Sequence, residues 1–375
     1  MFLMIIVGLL IFLYVLILLY YRHGYNILIR SAALKNQPPA ISFSIIIPAR
    51  NEKENIKACL DSIQNINYPP NLYEVIVVDD HSEDDTAAVV KSYHNIRLLQ
   101  LKDQPASGNQ AYKKQAIALG ISKSSGDYIV TTDADCIVPP DWLRCFDQMI
   151  RKQHCAFIAA PVTIHNESGC LQIFESLDFM MLQGITAASV HTGIHTMSNG
   201  ANLCYRKSAY ETVGGFAETD HIASGDDMLL MQKIKQKFPQ EISYCGMKEA
   251  IVSTKGTSGL FSFLMQRIRW ASKGKYYKEK TLKLILLIVF LFNLALLSLM
   301  AGSFFLPNLF FITGFALAIK IIVELIFLYP VSKFFSKEKL LFYFIAFQPL
   351  HIAYMVFAAL LGNFTKYTWK GRRVR

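Results

Sequence analysis

Two stretches of this chain carry no Asp, Glu, Lys or Arg over lengths that a soluble domain rarely tolerates: Met1 to Tyr21, and Leu284 to Ile319. A helix rises ~1.5 Å per residue and a bilayer core is ~30 Å thick, so about 20 apolar residues cross it once. The first run is one span long. The second is too long for a single span and has to turn, most readily at Gly302 to Asn308, which includes Pro307. A further uncharged run, Leu341 to Thr365, holds Pro349, which can kink it. The chain is therefore expected to place membrane helices at both ends of a water-soluble middle.

Charge supports the same division. The net charge is +10, with 53% apolar and 18% charged residues. Many basic residues flank the apolar runs: Arg22, His23, Arg30 and Lys35, then Lys273 to Lys283, then Lys366 to Arg375. Such flanks favour anionic headgroups and the cytoplasmic side. The partner they predict is a membrane; no recognised nucleic-acid motif is present, so nucleic acid is not expected. The first run lacks the basic start and short core of a signal peptide and reads as an anchor. The expected localisation is an integral protein of the cell inner membrane with its middle in the cytoplasm. Four simple spans would put the basic tail outside, against the positive-inside tendency, so one segment should be re-entrant or interfacial.

The boundaries that follow are an anchor over 1–21, a linker over 22–41 with Pro38-Pro39, a soluble domain over 42–260, an interfacial helix over 261–280, membrane helices over 281–365 and a basic tail over 366–375. The seven cysteines are odd in number and include no Cys-x-x-Cys, which argues for reduced thiols rather than a zinc or disulfide framework. Cys136 reads as a small buried hydrophobe.

Inside the soluble domain, strand and helix patterns alternate. Phe43 to Ile47, Tyr73 to Val78, Ile96 to Leu101 and Tyr128 to Thr132 read as buried strands. Glu52 to Ile63, Thr86 to Ser92 and Lys113 to Lys123 read as helices between them. This alternation predicts a doubly wound α/β sheet with crossover helices. Such a fold brings the loops Pro48 to Asn51, Asp79 to Ser82 and Asp133 to Asp135 to one rim, where open sheets bind ligands. In an extended chain Asp133 and Asp135 would face one spot. Asp-x-Asp suits a hard divalent cation that keeps waters and takes substrate phosphates into its shell.

Ala156 to Ile164 reads as one more strand. Phe179 to Met197 is uncharged but polar in places, and reads as a helix on or near the membrane face, with a span as the alternative. His191 and His195 have the spacing of a metal pair without the Glu of a zinc protease, so interface or core histidines are expected. Ser198 to Phe216 holds three glycines. Gly225-Asp226-Asp227 precedes a helix from Met228 to Ile234, where acids can simply cap. Phe261 to Gly274 is a basic amphipathic helix with Gln266, Arg269 and Trp270, in which Arg267 is expected to meet lipid phosphates. Lys320 and Glu324 are four apart and should pair.

Taken together, SIIIPARNE, VVDDHSEDDT, the surroundings of Lys113, TDADC, GDD and QRIRW resemble, in order and spacing, the membrane-bound family 2 inverting glycosyltransferases. One departure is Tyr112, where the family usually has Gly before the lysine. The resemblance covers roughly Ser42 to Gly274. It implies a GT-A fold, that is, a doubly wound mixed α/β sheet with flanking transmembrane helices. It implies a nucleotide-sugar donor, a UDP-sugar, bound by Pro48, Ala49, Arg50, Glu52, Asp80, Lys113, Asp133 and Ala134. Asp135 would hold a divalent metal, Mg2+ or Mn2+. Asp227 would be the catalytic base with Asp226 beside it, and Gln266, Arg269 and Trp270 would close over diphosphate and acceptor. The implied reaction is transfer of a single sugar to a membrane lipid at the cytoplasmic face. A processive polysaccharide synthase is the alternative, and a non-catalytic membrane protein is disfavoured because every expected acid is present.

Overall fold

The computed structural model describes residues 2–103, 111–222, 225–364, 367–369 and 372–374. The chain forms two compact units. One comprises Met1–Leu28, Asn166–His195 and Gly256–Tyr367; the other comprises Ile29–His165, Thr196–Lys255 and Thr368–Arg375.

The second unit holds the strands β1 (Phe43–Ala49), β2 (Tyr73–Asp79), β3 (Ile96–Gln100), β4 (Tyr128–Thr131), β5 (Phe157–Ala159), β6 (Val162–His165), β7 (Leu203–Arg206), β8 (Ile242–Tyr244) and β9 (Val252–Lys255). Seven of them make one sheet in the order β3-β2-β1-β4-β7-β5-β8. Strands β1 to β4 are parallel to one another, β7 runs antiparallel to both β4 and β5, and β8 is parallel to β5. The sheet is thus mixed α/β, as the resemblance implied. The expected single strand Ala156 to Ile164 is two. Pro161, which lacks an N–H for a ladder, separates β5 from β6, and β6 pairs with β9 in a small sheet of its own.

Strand β1 explains why the sheet forms here. Ile45, Ile46 and Ile47 are fully buried, as a central parallel strand covered on both faces requires. The helix Tyr112–Ser122 lies close against it at Gly120, where an added Cβ would fall 2.6 Å from Ile46 Cγ2. Gly126 sits tighter still, its would-be Cβ 2.6 Å from the backbone of Phe43 and Ser44. The connections run outward from β1 to β2 and β3, then return to place β4 on the other side of β1. That reversal opens a crevice at the carboxyl ends of β1 and β4.

The first unit is helical. Its helix Phe2–Ser31 continues well past Tyr21, so the linker expected from residue 22 begins only after Ser31. The extension is held by burial of Tyr21 and Tyr25. Tyr21 Oη lies 2.6 Å from His195 Nε2, which makes His195 a core histidine. Among the described residues, three helices are long and apolar enough to cross a membrane: Met4–Ser31, Lys280–Gly302 and Asn308–Phe334. The turn between the last two falls where the sequence placed it. The last of them runs through Pro330 to Phe334. The final apolar run is not a long kinked helix. It divides into a 3-10 turn, Glu338–Tyr343, and a helix of 17 residues, Gln348–Phe364. Pro349 stands in that helix's first turn, where its missing N–H removes no bond. Lys320 and Glu324 pair at 2.6 Å as expected, with Gln348 joining both. In the basic tail, Lys366, Lys370, Gly371 and Arg375 lie outside the described residues.

The helix expected over Phe179 to Met197 spans Cys170–Thr192 and ends at Gly193, whose φ of 72° closes it in the left-handed region. It is not among the membrane-length helices, and it buries Glu175, Asp178 and Gln183 inside its unit.

Candidate active site

The rim of the sheet is stitched from the loops after β1 and β2. Asn51 and His81, each just beyond a strand, adopt left-handed φ values of 50° and 53°. Ala49 O accepts from Asp80 N at 2.8 Å. Arg50, nearly buried, donates through Nη1 to the carbonyls of Asp80 and His81 at 2.9 and 3.0 Å. Asn51 N donates to Ser82 Oγ, and Glu83 N donates back to Asn51 Oδ1. Glu52 N donates to Thr86 Oγ1, while Glu52 O accepts from the N–H groups of Asn55 and Ile56 at the start of the next helix. Arg50 and Glu52 therefore shape the rim, and Pro48 and Ala49 end the strand beneath it. Asp80 is buried, with Oδ1 3.0 Å from His81 Nδ1. Its neighbour Asp79 was not singled out from the sequence. It is also buried, and its Oδ1 has no hydrogen-bond partner among the described residues.

Beyond β4 the chain does not stay extended. The strand ends at Thr131, and Cys136 N donates to Asp133 O at 3.1 Å, closing a turn over Asp133 to Cys136. Asp133 to Cys136 is thus a turn rather than the extended chain expected there. Asp133 Oδ1 lies 2.7 Å from Lys113 Nζ, and Asp135 Oδ1 lies 3.7 Å from Cys136 Sγ. Ala134 is buried between them. Burial, reinforced by Asp135 and Asp133, pushes the thiols of Cys59 and Cys136 up, so both are inert packing residues, as read for Cys136.

Lys113 joins two motifs. Its Nζ is 2.7 Å from Asp133 and 3.1 Å from Asp226 Oδ2. Burial opposes the charge on Lys113, but Asp133 and Asp226 outweigh it and hold the ammonium above its ordinary range. Gly200 backs this group: a Cβ there would stand 3.0 Å from Asp226 Oδ2 and 3.2 Å from Lys113 Nζ. Gly200 is a site residue that sequence reasoning did not single out, although the glycines around it were noticed. Asp227 adjoins the group and is the N-cap of the helix Met228–Lys237, accepting from Met228 N at 2.7 Å. Behind it all, buried Trp142 donates from Nε1 to Asn202 Oδ1, and Asn202 Nδ2 donates to the carbonyls of Pro161 and Ala250.

No group of three or more His, Cys, Asp or Glu with metal-ligand placement occurs among the described residues. A hard cation of the Mg2+ or Mn2+ type needs only one or two carboxylates when phosphates and waters complete its shell. Asp135 is a partly exposed oxygen donor of that kind, so the residues present fit such an ion.

Gln266, Arg269 and Trp270 belong to the other unit, on the helix Leu260–Ala271. The expectation for Arg267 is overturned there. Arg267 is buried, donates through Nε to Asp178 Oδ2 at 2.9 Å and forms an ion pair with it through Nη2 at 2.7 Å, so a carboxylate takes the place of a lipid phosphate. Its Nη1 donates to Gln266 Oε1, and its guanidinium lies over the Trp270 ring at 4.3 Å.

A mixed sheet of this order, with acidic loops at its switch point, is the GT-A architecture of sugar transferases. Residues 44–213 match the model described as glycosyl transferase family 2. The match takes in a little under half of the chain and identifies this segment as a family 2 glycosyltransferase domain. Glycosyltransferase AglE of Haloferax volcanii is 30% identical over 49% of this chain and 58% of its own. Poly-beta-1,6-N-acetyl-D-glucosamine synthase of Staphylococcus epidermidis is 26% identical over 65% of this chain and 58% of its own. Beta-monoglucosyldiacylglycerol synthase of Trichormus variabilis is 26% identical over 62% of this chain and 48% of its own. The chain thus spans about half the length of these curated relatives. Among solved structures, mannosyltransferase PcManGT of Pyrobaculum calidifontis, in complex with GDP-Man and Mn2+, covers 96% of this chain and 97% of its own at 18% identity, with a TM-score of 0.60. That likeness concerns the fold.

Proposed function

We propose that the protein moves one sugar from a nucleotide-sugar donor, a UDP-sugar, to a membrane lipid in a single inverting displacement. The observation that supports this most is the Lys113, Asp133 and Asp226 group at the carboxyl edge of the sheet, with Asp227 beside it, in a family 2 domain. In this reading Pro48, Ala49, Arg50, Glu52 and Asp80 form the floor for base and ribose, the latter two loops being held rigid by the bonds between them. Asp133 faces the nucleotide with Lys113 behind it.

The acceptor hydroxyl attacks the anomeric carbon as the bond from that carbon to the diphosphate oxygen breaks. Its proton passes to Asp227, and the bonding electrons leave with the nucleoside diphosphate. A divalent ion on Asp135, when bound, offsets the charge that grows on the leaving group. Asp227 suits the base's role because its capping bond to Met228 N fixes the carboxylate in place, whereas Asp226 is engaged by Lys113. Gln266, Arg269 and Trp270 would meet the diphosphate and acceptor.

The printed name of the Trichormus relative supports a glycerolipid acceptor, as do three membrane-length helices. Those three spans also suggest a topology. With the domain in the cytoplasm, the pair Lys280–Gly302 and Asn308–Phe334 goes out and returns, and the 17-residue helix Gln348–Phe364 stays on the inner side. The basic tail then lies inside, in line with the positive-inside tendency. The processive alternative is favoured by the Staphylococcus relative's name. Incubating the full chain in membranes with UDP- and GDP-sugars, then identifying labelled product by mass spectrometry, tests both. A lipid bearing one sugar supports the proposal, a long polymer supports the alternative, and no product from any donor removes both.

A further inference from the structure

The helix Cys170–Thr192 carries two buried carboxylates, Glu175 and Asp178, on one face at a spacing of three. Both are spent on the segment that bears the Gln-x-x-Arg-Trp motif. Glu175 Oε2 accepts from Thr257 N at 2.8 Å and from Thr257 Oγ1 at 3.0 Å, just ahead of the helix Leu260–Ala271. Asp178 Oδ2 accepts from Arg267 near the other end of that helix, while Asp178 Oδ1 accepts from Tyr354 Oη. Arg267 in turn holds Gln266 Oε1 at 2.6 Å and lies over the Trp270 ring.

Burying two acids costs several kcal/mol each unless both are paired and bonded, as these are. Packing alone would not call for them. Phe174 and Phe263 already join the two helices in an apolar cluster with Tyr354. What the acids add is position: one fixes where the motif helix starts, and the other fixes its rotation.

We propose that Glu175 and Asp178 are positioning residues for the transfer reaction, a two-point clamp that sets the register and rotation of the helix carrying Gln266, Arg269 and Trp270. This rests on the transferase reading above. A misplacement of about 1 Å at reacting groups costs on the order of 100-fold in rate. Asp178→Asn, in the full chain, is therefore expected to lower kcat about 100-fold with donor KM changed less than about threefold. It also releases Arg267 from the Trp270 ring, so Trp270 emission shifts, and the shift disappears when Trp270→Phe is combined with it. Glu175→Gln is the second variant, expected to lower kcat at least about tenfold should Asp178→Asn fail to fold. Glu167→Gln is the control. Glu167 accepts from Ser176 of the same helix and from Lys337 but bonds nothing on the motif helix, so kcat should stay within about twofold. Full kcat in a folded Asp178→Asn or Glu175→Gln protein, or unchanged Trp270 emission in Asp178→Asn, overturns the clamp. An unmodified protein that transfers no sugar sinks the transferase reading instead, while the emission measurement still decides the clamp.

Discussion

Lys113 shows what a single side chain does here. It lies between Asp133 and Asp226, acids contributed by distant parts of the chain. Replacing it with Met would leave two carboxylates facing each other without a cation. Breaking a fully buried pair costs ~3–5 kcal/mol. Lys113 is 19% exposed, so the lower end applies. A loss of about 100-fold in kcat/KM is expected for Lys113→Met, measured with labelled donor; activity within threefold of the parent would contradict the assigned role. Asp227→Asn is a sharper test than its charge change suggests. Asn caps a helix about as well as Asp, so the helix Met228–Lys237 should hold while the base is lost. Donor affinity by calorimetry is expected to persist with transfer abolished, and retained turnover would move the base elsewhere. The acids were legible in the sequence because each ends a strand or starts a helix. Arg267 was not: what buries it is Asp178, 89 positions away in the chain, and nothing local to QRIRW signals that partner. The extended backbone assumed for Asp133 to Asp135 was also missed, because the strand ends at Thr131 and a turn begins at Asp133.

At the scale of elements, the glycines beside β1 set how closely the layers of the sheet unit approach. A methyl group at Gly126 would meet the backbone of Phe43 and Ser44 at 2.6 Å, and backbone cannot yield as a side chain can. Gly126→Ala is expected to destabilise the domain by ~1–3 kcal/mol through overpacking, seen as a lower midpoint in thermal or denaturant unfolding. Gly120→Ala should cost less, because its methyl group would meet side-chain atoms of Ile46 and Val78 rather than backbone; an equal or larger loss there would invert the argument. The first four strands and their crossovers were readable because burial on both faces imposes continuous apolar runs. Shorter pieces were not. β5 and β6 have only three and four residues and belong to different sheets, and sequence periodicity over such lengths does not separate them. The length of the first helix was missed for another reason. Arg22 and His23 looked like its end, but Tyr21 and Tyr25 pack inside the unit and carry the helix on to Ser31.

For the molecule as a whole, sidedness and thiol chemistry give direct measurements. If three spans cross the bilayer, a reporter fused after the basic tail should be active only in the cytoplasm; activity outside would restore a fourth crossing. Six of the seven cysteines are buried and Cys170 is exposed. At most one thiol is therefore expected to react with maleimide in the folded protein at neutral pH, and seven after denaturation. Chelation should stop transfer, and Mg2+ or Mn2+ should restore it, if Asp135 works with a cation. The membrane runs and the family motifs made this overall plan readable. The unit that gathers the first helix, the Cys170–Thr192 helix and the C-terminal helices was not readable, because its contacts join segments far apart in the chain.

The position of β7 bears on how the protein is made. It lies between β4 and β5, although both precede it in the chain. While a ribosome is still synthesising residues before Leu203, β4 has an open edge and β5 has no place in the sheet. Such an edge recruits other chains. Nascent chains stalled ahead of β7 are thus expected to require a holding chaperone or to aggregate, and chains stalled past Lys255 to resist protease. Equal protease resistance at both points would dismiss the idea. Synthesis of this middle segment is the protein's period of greatest exposure.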